Sequence, residues 1–284
     1  MRQFTFLLIL LTFLSLCNSA KSDTLKLLKQ NGVADSHYDI TAVRPEDGKR
    51  VEEQLEHLFH AWNILSAEFL KDAKIEPARP RHRIRIYRNQ EEYNANLFRI
   101  EPNIAKTNGF YHAPGKTIHL FSTETKILFH EGTHQILAER FFHEKKPAFQ
   151  NNFWAVEGIA LFMETLKIED DSYKIGDVLA NRLYAAKVYR FEQNHHLPIR
   201  KLTAMSATDI QTSKNLQEIY SQSATLTHWL MLAERGHYRS ALFELLRQTY
   251  RDSAKPETLS ELTGLSFEEL DAKYAEFLKM IPDE

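Results

Sequence analysis

The chain of 284 residues has a single cysteine, nine glycines and nine prolines. One thiol cannot close an intrachain disulfide or build a cysteine-based zinc knot, so a folded exported domain would have to rest on its hydrophobic core. Glycine and proline at about 3% each fall below the usual roughly 7% and 5%, which argues against turn-rich all-β and low-complexity architectures. Neither sign of charge dominates, with 36 Lys+Arg against 38 Asp+Glu and a formal net charge of −2. That balance removes the electrostatic case for nucleic acid or anionic membrane as the main partner. No apolar run reaches the roughly 20 residues that cross a hydrocarbon core, so no transmembrane segment is expected. What remains is 43% hydrophobic and 26% charged, the composition of a globular chain able to bury a sizeable core.

The longest apolar run, residues 4–16, follows Arg2 and precedes Cys17-Asn18-Ser19-Ala20. This is the layout of a secretory signal, with cleavage expected after Ala20 and an exported product, periplasmic or secreted. The alternative is lipidation. Cys17 stands where a bacterial lipoprotein places its acylated residue, although Leu16 is larger than the residue usually found before it.

Residues 21–36 read as a tether and 37–284 as the folded part. Residues 37–43 alternate as a strand, and Pro45-Glu46 opens a helix whose Val51, Leu55, Leu58, Trp62, Leu65 and Phe69 follow a 3.6-residue period. A strand is expected at 81–87, a polar helix at 89–98, and a β-hairpin in which 109–112 and 117–121 flank Ala113-Pro114-Gly115-Lys116. From Ser122 onward the strand signal vanishes. Helices are expected at about 124–141, 153–167, 174–193, 214–235, 238–251 and 266–280. The fold class is therefore α+β, with an α/β lobe over 37–141 and a helical lobe over 142–284.

His130-Glu131-Gly132-Thr133-His134 falls inside the expected 124–141 helix. Residues four apart on a helix point about 40° apart, so both imidazoles leave one face and can share a metal, while Glu131 stands beside them without having to be a ligand. Two neutral imidazoles and an open position suit zinc. A carboxylate next to a metal-activated water can take its proton and pass it to a leaving group, as peptide hydrolysis requires. Glu157, near the start of the next helix, completes a His2Glu set if the chain returns antiparallel across Lys145-Lys146-Pro147. Its alternative role is a solvated acid favoured at a helix start.

The pair of motifs, H-E-x-x-H followed by Trp154-x-x-Glu157-Gly158-x-Ala160, resembles the gluzincin metallopeptidases of the peptidase MA clan, including the bacterial exported peptidase MA-like domains. The resemblance implies a zincin-like fold, a single zinc held by His130, His134 and Glu157, and Glu131 as general base. It implies that Glu164, seven residues beyond Glu157, supports a zinc-binding histidine. Tyr220-Ser221-Gln222-Ser223 resembles a Y-x-Q-S segment of the same domains and makes Tyr220 the oxyanion donor. Its alternative is an ordinary buried tyrosine on an amphipathic helix with Leu216, Leu226 and Leu230. The thermolysin pattern fails at Val156 and Leu161, the metzincin pattern fails at Leu137 and Arg140, and the G-x-M-E-N segment of aminopeptidases is missing. An endopeptidase acting on a peptide or protein substrate is the expectation. The rival from another class is an exported zinc-binding module without activity, and a third reading makes the pentapeptide coincidental.

The other histidines are read as ordinary by default. His57 and His60 lie on the first helix, and His195-His196 precede Pro198; a second metal there is the alternative, disfavoured because no acid is adjacent. His112 and His119 are either surface strand residues or lining of the cleft, and residues 117–121 are the candidate strand for pairing with substrate backbone.

Overall fold

A computed structural model describes residues 24–28, 36–69, 81–141, 147–178 and 180–283. The leader with Cys17, most of the stretch read as a tether, and the Lys145-Lys146 turn lie outside them.

Proline at the first helical position and the apolar stripe produce the longest helix, α1 (Pro45–Phe69). Val51, Leu55, Leu58, Trp62 and Leu65 are all fully buried, as the 3.6-residue period requires. In front of it lies a four-stranded sheet built from β2 (Tyr38–Ala42), β3 (His82–Ile86), β4 (Gly109–His112) and β5 (Thr117–Leu120), in the order β2-β3-β5-β4. β2, β3 and β5 are parallel, and β4 returns antiparallel along β5. In β3 the alternation of His82, Ile84 and Ile86 inward with Arg83 and Arg85 outward fixes its face. The short helix α2 (Gln90–Leu97) starts on Asn89, whose side chain accepts from the Glu92 N–H, and closes a satellite core of Tyr87, Tyr93, Leu97 and Ile104.

α3 (Thr125–Phe141) packs against α1 on one side and against β4 and β5 of this sheet on another. Gly132 permits the approach to α1, because a Cβ there would sit 2.5 Å from Leu58 Cδ2 and 2.8 Å from Leu55 Cδ2. One residue on, Thr133 Oγ1 accepts from Trp62 Nε1 at 3.3 Å. On the sheet side Gln135 Nε2 donates to the carbonyls of Arg83 and Lys116 at 3.3 and 3.4 Å. A third face carries His130, Glu131 and His134 and meets α4.

The second half is mainly helical, as expected. α4 (Phe153–Met163) is buried along its whole length. Asn152, in a left-handed conformation at its start, donates to the Lys255 carbonyl at 2.8 Å and accepts from Trp154 Nε1 at 3.3 Å. α4 is backed by α8 (Leu216–Leu232), which packs in turn on α5 (Asn181–Phe191). α6 (Ile199–Thr203), α7 (Ala207–Gln211), α9 (Arg239–Thr249), α10 (Thr258–Thr263) and α11 (Phe267–Met280) complete it. The three short helices α6, α7 and α10 have too few turns to show a period and escaped the sequence reading.

Three expectations are corrected. Strands do occur beyond Ser122: β6 (Lys167–Ile168) and β7 (Ser172–Ile175) form a hairpin over Asp170-Asp171, so the helix expected at 153–167 stops at Met163 and the one expected at 174–193 begins at Asn181. Tyr173 and Ile175 are buried around the more open Lys174, a period of two spanning too few residues to stand out in sequence. Inside the stretch read as a tether, β1 (Leu25–Leu28) pairs antiparallel with β7, making a three-stranded sheet in the order β1-β7-β6. Finally, residues 117–121 cannot add a substrate strand. β5 is paired on both sides, and among the described residues the edge on this side is β4.

Candidate metal centre

His130 and His134, one turn apart on α3, turn their Nε2 atoms toward each other at 3.1 Å. α4 brings the Glu157 carboxylate to the same point, with Oε2 3.5 Å from His130 Nε2 and Oε1 3.8 Å from His134 Nε2. Donor atoms of a tetrahedral zinc ion with bonds of about 2.0–2.1 Å stand about 3.4 Å apart. The three separations bracket that value, and the donor set is the right chemistry, so these residues fit a zinc-type ion. Glu164, at the end of α4, receives the other face of the ring: its Oε1 is 2.8 Å from His130 Nδ1. An Nδ1–H pointing at a carboxylate leaves Nε2 as the lone-pair donor, the tautomer a metal ligand needs.

Electrostatics agree with a cation at this position. Burial opposes charge on His130, but hydrogen bonds to Glu157 and Glu164 outweigh it and carry the imidazole up to about 10. Burial pushes His134 down to about 4, with the neighbouring His130 adding to the effect, so its ring is neutral. Burial opposes ionisation of Glu157 too, but His134, His130 and the Tyr220 hydroxyl hold its carboxyl below the usual range. The group is therefore two imidazoles and an ionised carboxylate that draw positive charge into a poorly solvated place.

Glu131 is built differently. It stands outside the converging donor group, and its Oε2 accepts the backbone N–H of Tyr111 on β4 at 2.8 Å. Burial raises its carboxyl to about 7; His130 and the Tyr111 N–H oppose the rise, and Glu157 and Glu164 support it. Tyr220 on α8 lines the same cleft as Glu157, and its ring lies 5.9 Å from the Arg182 guanidinium carbon. Burial and the Glu157 charge push its hydroxyl well above the ordinary tyrosine value, so it stays a donor.

His130, Glu131, His134, Glu157 and Tyr220 line a cleft of about 270 Å³ whose apolar wall is Phe110, Tyr111, Phe149, Phe153 and Tyr250. This wall escaped the sequence reading because its members come from three separate stretches of chain. Phe149 carried no local signal: it sits at φ 48°, held by its N–H on Asp252. His112 and His119 do not line the cleft. His119 is buried against the Tyr87 hydroxyl at 3.0 Å and is pushed down to about 4 by burial, with His112 and Arg85 adding to it. His196 is held by Asp271, 2.9 Å away on α11, an acid supplied from 75 residues downstream.

Residues 124–254 match the model of a family described as a protein of unknown function (DUF1570). The match spans α3, α4, α8 and α9, and so contains His130, Glu131, His134, Glu157, Glu164 and Tyr220. No curated protein matches the chain.

Proposed function

We propose that the chain is an exported zinc metallopeptidase of the gluzincin type, cleaving peptide bonds within a peptide or protein substrate. The observation that supports it best is the division of labour on one helix face. His130 and His134 converge with Glu157 on a common point, while Glu131 between them is left out of that group and opens onto the cleft. A scaffold needs the three donors; it has no need of a half-buried fourth acid beside them.

A zinc ion held by His130, His134 and Glu157 supplies a Lewis acid that acidifies water and polarises a carbonyl. Glu131 takes the proton of the attacking water and returns it to the leaving amine, a task suited to a carboxyl lifted by burial to about 7. Tyr220 donates its hydroxyl proton to charge developing on the carbonyl oxygen, in a site where a fixed donor is worth more than water. Glu164 holds His130 in its ligand tautomer. β4 contributes Phe110 and Tyr111 to the cleft and is the sheet edge along which an extended peptide would lie. The secretory leader directs this activity outside the cytoplasm.

The test pairs two variants in a peptide-library cleavage assay with metal content measured alongside. Glu131→Gln keeps an oxygen for the Tyr111 N–H, so it retains the cleft metal and loses hydrolysis; His134→Ala loses the cleft metal and hydrolysis together. Hydrolysis by metal-loaded Glu131→Gln at the rate of the unaltered chain would sink the mechanism.

A further inference from the structure

A second group of metal-ligating side chains lies away from the cleft, on another face of α1. Glu56 and His60 are one turn apart on that helix, and His37 stands immediately before β2. One donor atom from each of the three lies within 4.8 Å of the others. Leu55 and Leu58 face Gly132 of α3, whereas Glu56 and His60 turn toward His37, so the two groups share no residue.

The arrangement has the marks of a built site. Glu56 receives His37 twice, with Oε1 2.6 Å from its backbone nitrogen and Oε2 2.6 Å from its ring Nδ1. The His37 ring is stacked on Phe59 with centroids 4.0 Å apart, which fixes its plane, and it meets the His60 ring edge-on at 6.2 Å. The side chains of His37 and Glu56 are only 11% and 22% exposed, so an ion there would be partly desolvated and its bonds little weakened by water. Ser36 Oγ, next to His37, is bonded to Glu52 one turn back along α1, which anchors the backbone at this point. Two imidazoles and one carboxylate are borderline ligands suited to zinc and its neighbours rather than to calcium or magnesium.

We propose that His37, Glu56 and His60 form a second divalent transition-metal site, of zinc type, that clasps the start of β2 to α1. Its ligands come from two elements that already meet where the Tyr38 hydroxyl donates to the Leu55 carbonyl at 3.1 Å, and an ion bound only by the folded chain stabilises it further by mass action. The three protein donors leave a fourth position for water.

The test uses the whole chain without a histidine tag, in a His134→Ala background that removes the cleft site, titrated with zinc against a chromophoric chelator. His134→Ala alone takes up one equivalent and its melting temperature rises on zinc addition. Adding His60→Gln or Glu56→Gln weakens that equivalent at least tenfold and abolishes the rise. Glu56→Gln keeps an acceptor for the His37 N–H, so loss of the equivalent in that variant reports on the ligand and not on the fold. Absence of zinc uptake by His134→Ala overturns the proposal, and so does an equivalent that survives both further substitutions, because it sits elsewhere. Failure of the cleft reading has a separate signature: His134→Ala then binds as much zinc as the unaltered chain.

Discussion

Gly158→Ala tests whether the close contact of α4 with α8 is what aligns Tyr220 with the metal ligands. Gly158 follows Glu157, and a Cβ there would press on Thr227 Oγ1 and stand 2.7 Å from the carbonyl oxygen of Ser223. The Thr227 side chain can rotate; the Ser223 carbonyl belongs to α8 itself. Ordinary contact begins at 3.4 Å, so the helices must part by roughly 0.7 Å. Overpacking of this kind costs about 1–3 kcal/mol, and the better helix propensity of alanine offsets about 1 kcal/mol of it. The net loss is up to about 2 kcal/mol, or several degrees of melting temperature for a chain this long. The larger effect is on alignment. Glu157 stays beside α3 while Tyr220 withdraws with α8, and a displacement approaching 1 Å costs about 10–100-fold in turnover. Steady-state kinetics on the metal-loaded variant should show that loss in kcat with zinc content unchanged. Tyr220→Phe, which removes one oxyanion donor in place, sets the reference at about 10²–10³-fold, and the two losses combined should be less than multiplicative. Thr227→Ala should not rescue Gly158→Ala, because the backbone contact remains. A Gly158→Ala protein with unchanged melting temperature and turnover would refute the reasoning.

Two further outcomes are expected. Glu164→Ala removes the acceptor of the His130 Nδ1–H bond and should weaken zinc binding about 10–100-fold in a competition titration, with Glu164→Gln losing less because its amide oxygen still accepts; equal affinity in both variants and the unaltered chain would refute a supporting role. His228 is fully buried on α8 and pushed down to about 4 by burial, which outweighs its bond to the Ala224 carbonyl. Its folded value lies below the unfolded value of about 6.5, so its contribution is complete above pH 6.5 and is lost as the pH falls toward 4. The difference amounts to about 3 kcal/mol. Urea unfolding in chelator at pH 7.5 and 4.5 should therefore show the unaltered chain losing about that much more stability than His228→Phe, and parallel losses would contradict it.

The sequence carried the candidate metal-binding group, His130, His134 and Glu157, because its chemistry is local. The i, i+4 spacing of His130 and His134 and the i, i+7 spacing of Glu157 and Glu164 are helix geometry, and helices are what the apolar periods at 125–141 and 153–163 specify. Strands and helices of the α/β lobe were legible for the same reason, from the alternation in β3 to the stripe of α1. What stayed hidden depends on contacts between distant stretches. Leu25–Leu28 pairs with Ser172–Ile175 across nearly 150 residues, and neither strand is long enough to announce itself. β5 looked like a substrate strand until its pairing on both sides was seen, and the tie from Glu131 to the Tyr111 N–H depends on where β4 lands beside α3. His37 drew no attention in sequence, because only the fold sets it against Glu56 and His60.

Metal content per chain, measured by elemental mass spectrometry on protein purified without chelator or histidine tag, tests the central claim most directly. The account predicts that His134→Ala carries one equivalent of zinc less than the unaltered chain, while Glu131→Gln carries the same amount. Equal zinc in the His134→Ala protein and the unaltered chain would contradict it.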